Sequence, residues 1–142
     1  MGVGPSVVRV NFEDVKAIAS SSPNSQSPKY LVSTLADSNQ ACLIDKTLTP
    51  ADEVRILNEC IRKGAVDCTI IVYGKDCSDM TIDKKAAQLQ GLGFRNVCTY
   101  AGGMLEWLLL QEIYGKDHFP TRGSERDLLR YHRTASLLQI KG

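Results

Sequence analysis

Residues 69–73 read TIIVY, a run of high β-propensity with apolar side chains at both odd and even positions. A strand points alternate side chains to opposite faces, so this one has no face left for water and must be covered on both sides. Residues 30–35 (YLVSTL) and 96–100 (NVCTY) are similar, and helical patterns separate these runs. Strands joined through helices become parallel neighbours by crossover connections rather than hairpins. The expected fold is therefore a single α/β domain: a mainly parallel open sheet of about five strands flanked by helices on both faces.

The remaining punctuation fits that plan. Residues 7–10 predict the first strand, and Asn11 caps a helix with Phe12, Val15, Ile18 and Ala19 on one face. Residues 20–28 (SSSPNSQSP) carry two prolines and no period, and read as a polar linker inside the domain. A further strand is predicted over 41–48. Thr49 then caps a helix with Pro50 at its first position and Asp52 three residues on; Val54, Leu57 and Ile61 form its apolar stripe and Gly64 ends it. A helix over 82–91 turns Ala86 and Leu89 inward. Residues 104–114 (MLEWLLLQEIY) are apolar on nearly all sides, which predicts a helix buried against the sheet, with Trp107 in the core. A last helix starts at Ser124, has Asp127 at its capping-box position, and carries Leu128, Leu129, His132 and Leu137. The domain plan is a flexible N-terminus over 1–6, one domain over 7–118 and a helical extension over 119–142.

Charge and cysteine usage narrow the function classes. A formal net charge of +1 supplies no field that would favour nucleic acid or an anionic membrane. No apolar run approaches the roughly 20 residues that span a bilayer, and the N-terminus lacks the basic and apolar regions of a signal peptide. The opening MGVGPS does match the short, tolerant pattern for myristoylation at Gly2. The five cysteines are odd in number and show no C-x-x-C spacing, against both a disulfide framework and a zinc site. A cytoplasmic protein with free thiols is expected. Cys42, Cys68 and Cys98 fall in predicted strands and Cys60 in a helix, where cysteine serves as a small buried apolar group. His118 and His132 read as surface or partly buried side chains.

In open parallel sheets, function gathers beyond the carboxyl ends of the strands, where a loop leads into a helix. Two connections qualify, residues 74–81 and residues 101–103. The first holds Cys77, close to backbone N–H groups and the positive end of a helix dipole, which favour a thiolate and attract an anion. Lys75 adds positive charge, and Ser78 or Thr81 can donate to a sulfur or an oxyanion. Asp76, Asp79 and Asp83 oppose both effects, because carboxylates raise a neighbouring thiol's pKa and repel anions. Arginine, with its fixed fork of donors, is absent between Lys75 and Arg95. Cys77 is thus either a reactive thiol or a small loop residue. Gly102 and Gly103 predict a tight turn that needs positive φ or close backbone approach.

The order strand, thiol loop, helix, LGFRNV, strand, YAGGMLEW resembles the second half of a rhodanese-like domain, with its G-F-x-x-V and G-G-x-x-x-W segments. Leu92, Gly93, Phe94, Val97, Gly102, Gly103 and Trp107 match, and VNFEDVKAIAS and YLVSTL extend the likeness back to Val7. The resemblance implies a sulfurtransferase that passes a sulfane sulfur from thiosulfate or a mercapto acid through a Cys77 persulfide to a thiophilic acceptor, without metal or cofactor. Gly74, Lys75, Asp76, Ser78, Asp79 and Met80 would form the substrate cradle. The loop departs from the family's pattern. The family's cysteine position falls on Gly74 or on Asp76, beside Cys77, no arginine closes the loop, and no D-x-R element follows YLVSTL. The Cys-x5-Arg of phosphatase relatives is missing too, since the count from Cys77 ends on Asp83. The alternative is a catalytically inactive rhodanese-like module that binds a protein partner or regulates one.

Overall fold

The computed structural model describes residues 7–20, 28–35, 42–76 and 79–123. In chain order the elements are β1 (Val8–Val10), α1 (Phe12–Ser20), β2 (Lys29–Ser33), β3 (Leu43–Ile44), α2 (Pro50–Lys63), β4 (Thr69–Tyr73), α3 (Thr81–Gly91), β5 (Asn96–Tyr100), α4 (Gly103–Tyr114) and β6 (Thr121–Arg122). Strands β1, β5, β4 and β2 lie side by side in that order, every pair parallel. This is the α/β layout the resemblance implied, and the two apolar faces of β4 explain it. Ile71 and Tyr73 pack with α1, α4 and Phe119 on one side. Ile70 and Val72 pack with α2 and α3 on the other.

Among the described residues the parallel sheet has four strands, where about five were expected. Of the strand expected over 41–48, the described residues 42–48 do not form one strand: the chain turns at Asp45 and Lys46, the latter at φ 71°, and both the Thr47 amide and its hydroxyl donate to the Ile44 carbonyl. Before the turn, Leu43 and Ile44 pair antiparallel with β6; after it, Thr47 reaches β2 through an isolated bridge to Leu31. A local polar turn thus overrides the β-propensity of the flanking residues.

Helix starts follow the sequence closely. The Asn11 side chain accepts from the amides of Glu13 and Asp14, and Thr49 accepts from the Asp52 amide at 3.2 Å. Gly64 closes α2 in the left-handed conformation at φ 71°. The buried face of α2 differs from the expected stripe, however. Only Leu57 is buried, with Cys60 packed beside it, while Val54 is 60% exposed. Similarly, α4 buries Met104, Trp107 and Leu108 but leaves Leu109 and Ile113 in solvent, because the sheet lies on one side of it alone.

Trp107 is fully buried, edge-on to Tyr100 and Phe119, and its indole N–H donates to the Pro120 carbonyl at 3.1 Å. The segment from residue 119 therefore begins as core and strand, through Phe119 and β6, not as a helix. The helix expected from Ser124, with His132, lies outside the described residues. Among those described, no helix is long and apolar enough to cross a membrane.

The Tyr73 phenol, at the end of β4, is fully buried; it accepts from the Ile44 amide at 3.2 Å and sits 2.6 Å from the Thr47 hydroxyl. Replacing it with phenylalanine leaves two buried polar groups without this partner, at a cost of about 1–3 kcal/mol. Chemical denaturation of Tyr73→Phe checks this: the midpoint falls while the slope against denaturant stays constant.

Candidate functional site

Strands β4 and β5 are in register, Tyr73 opposite Tyr100, so the connection after each emerges at the same edge of the sheet. Gly103 opens α4 at φ +65°, and a Cβ there would stand 2.7 Å from the Gly74 carbonyl oxygen. The bare backbone instead lets the two connections dock: the Met104 amide donates to the Gly74 carbonyl at 2.9 Å, and the Leu105 amide to the Lys75 carbonyl at 2.8 Å. The first amides of a helix have no partner within it. Here the thiol loop supplies partners, which fastens it to α4 and commits those amides to structure.

Within the loop, the Asp79 carboxylate takes the central place. Its Oδ2 accepts from the Lys75 amide at 2.9 Å, and its Oδ1 from the Thr81 amide at 3.0 Å and from the Thr81 hydroxyl. The Thr81 oxygen also lies 2.7 Å from the Thr34 hydroxyl, and the Thr34 amide donates to the Tyr73 carbonyl, so the end of β2 joins the cluster. The Asp79 amide donates to the Asp76 carbonyl at 3.2 Å. Burial raises the Asp79 carboxyl, but the Thr81 hydroxyl, the Lys75 and Thr81 amides and the Lys75 charge outweigh it and hold the group below the usual carboxylate range. Gly74 is buried against this carboxylate and the Thr34 hydroxyl, leaving no room for a side chain.

Of the residues read from sequence as a cradle, Gly74, Asp76 and Asp79 come together at the sheet edge, while Lys75 and Met80 are exposed. Cys77 and Ser78 lie outside the described residues. Thr81, read as a donor toward a sulfur or oxyanion, donates to Asp79 instead. Thr34 was not anticipated, because its approach depends on the pairing of β2 with β4 across 39 residues. The Asp79 contact was legible in principle, since aspartate commonly bonds the amide two residues on at a turn.

Beside the loop, a groove of about 410 Å3 runs between the end of β2 and helices α2 and α3, with Thr34, Glu53, Thr81, Lys84, Lys85 and Gln88 in its walls. Lys85 is paired with Glu53 at 2.6 Å. The thiols elsewhere are packing groups. Burial, and then the neighbouring Cys60, push the Cys68 thiol up to about 11, and burial, then Asp14, raises Cys98. Among the described residues, no group of three or more His, Cys, Asp or Glu side chains could hold a metal ion.

No known family model matches the chain, and no curated protein does. Among solved structures, the chain is similar to the crystal structure of the Alr3790 protein from Anabaena sp., at 15% identity and a TM-score of 0.56, covering 87% of this chain and all of that one. At that identity the likeness speaks for the fold alone.

Two measurements check this geometry. Gly103→Ala places an L-residue in the left-handed region, about 1–2 kcal/mol unfavourable, and presses its methyl on the Gly74 carbonyl; its melting temperature falls and the loop amides lose protection from exchange. Asp79 has a folded pKa below its unfolded one, so its stabilising bonds are complete above about pH 4 and are lost as pH falls through the folded value. In a titration by amide NMR, the Lys75 and Thr81 resonances shift together with a midpoint below that of a free aspartate, and Asp79→Asn abolishes the shift.

Proposed function

We propose that this chain is a rhodanese-like module whose thiol loop serves binding or regulation rather than sulfur transfer. The observation that carries the reading is the Asp79 carboxylate seated on the amides of Lys75 and Thr81. In an anion-binding loop such amides hold the charged end of the substrate, whereas here an internal anion takes these two. The absence of an arginine between Lys75 and Arg95 supports the same reading, since the loop itself lacks the fixed fork of donors that suits a sulfate-like group. The family assignment rests on the G-F-x-x-V and G-G-x-x-x-W segments together with the parallel strand order. The partner is a protein, in the reducing environment of the cytoplasm, to which free thiols are suited.

A second reading has its own support, the placement of the thiol loop beyond the carboxyl end of β4. In it the Cys77 thiolate attacks the outer sulfur of thiosulfate, the S–S bond breaks and sulfite leaves. The resulting persulfide then yields its sulfur to a thiophilic acceptor.

Intact-mass spectrometry of the reduced protein after thiosulfate or mercaptopyruvate separates the two. The module reading expects no adduct with either donor. A gain of one sulfur that is lost in Cys77→Ser and released by cyanide as thiocyanate establishes the sulfurtransferase and overturns it.

A further inference from the structure

On the α1 and α4 side of the sheet lies a second groove, of about 420 Å3, lined by Phe12, Lys16, Leu110, Tyr114, His118 and Phe119. That size falls within the roughly 300–1,000 Å3 of small-molecule sites. Buried Phe119 is its floor, with ring centroids 5.8 Å from Phe12 and 5.9 Å from Tyr114, both pairs tilted. The chain around α4 fixes this floor in place. Gly115 ends the helix at φ 101°, and its carbonyl accepts from the amides of His118 and Phe119, each at 3.2 Å. The Gln111 side chain donates to the Phe119 carbonyl at 2.8 Å, and the Trp107 indole to the next carbonyl, that of Pro120. Three aromatic rings from α1, α4 and the connection after α4 are thus held by core contacts, so the groove is formed before a ligand arrives.

Charge names the kind of occupant. Lys16 is half-buried, and its ammonium lies 5.1 Å from the Phe119 centroid, in cation–π range. Among the described residues it has no carboxylate partner. His118, exposed in the wall of the groove, is a second nitrogen donor. Glu13 and Asp14 on α1, Glu112 on α4 and Asp117 after it are close in sequence, yet none of them lines the groove. A half-buried ammonium with only an aromatic face for company has lost part of its hydration, and a carboxylate would replace it with a charge-assisted hydrogen bond. The same ammonium repels a cationic ligand, which the rings alone would suit. The rings themselves favour a flat aromatic body, which continues the tilted packing already present around Phe119.

We propose that this groove binds a planar aromatic carboxylate, its ring system packed on Phe119 beside Phe12 and Tyr114 and its carboxylate accepting from the Lys16 ammonium. No residue of the thiol loop takes part, so the site is independent of what that loop does.

Titration of the full chain with 2-naphthoate, followed by NMR of the Leu110 methyls and the Phe12, Tyr114 and Phe119 rings, tests this directly. Saturable shifts at these residues, with a Kd below about 1 mM, are the expected result. The neutral 2-naphthamide binds about tenfold more weakly, for want of the charge-assisted bond. Lys16→Met, which keeps an unbranched chain beside Phe119, lowers the affinity for naphthoate to that for the amide and leaves binding of the amide unchanged, which also shows that the groove still folds. No saturable shift at these residues, equal affinities for the acid and the amide, or an affinity for naphthoate unchanged in Lys16→Met would overturn the proposal.

Discussion

Strand β4 sits between β5 and β2 with every residue from Ile70 to Tyr73 buried, and the rest of the molecule answers to that constraint. Ile70 and Val72 require one pair of helices, Ile71 and Tyr73 the other. Burial on both faces and pairing on both sides also leave the two ends of β4 as the places where this strand can present polar backbone to water or to a ligand. The Tyr73 phenol extends the same logic to the sheet's last residue: burial raises its pKa well above the usual phenol range despite the bonds to Thr47 and Ile44, so it stays neutral and acts as an internal brace.

At that edge, two glycines let backbone replace side chains. Gly74 and Gly103 come close enough for the carbonyls of the thiol loop to satisfy the first amides of α4. The Lys75 and Thr81 amides donate to Asp79, whose carboxylate thus holds two of the loop's donors internally.

Much of this was legible in the residues. The two-faced apolar strands called for a parallel sheet with helices on both sides, Asn11 and Thr49 marked helix starts, Gly64 marked a helix end, and the Gly102–Gly103 pair marked a close approach. Other features were not. The turn at Asp45 and Lys46 cut the strand expected over 41–48 down to β3 because a local polar turn won over propensity, and the exposed residues of α2 and α4 depended on how each helix packs. The Thr34 contact depended on strand pairing, which a linear reading does not locate.

The sequence alone determined most of the strands and helices, and that a thiol and two aspartates, without an arginine, share one connection, because propensity, periodicity and composition are local. Only the tertiary structure decided what the loop's polar groups do. The partners of Asp79 include backbone amides of its own loop, but the cluster is completed by Thr34 from β2 and held in place by α4, and distances of that kind exist only once the sheet has assembled. Hydrogen bonds form only within about 3.5 Å and charge interactions weaken with distance, so the chemistry of the site belongs to the packed chain.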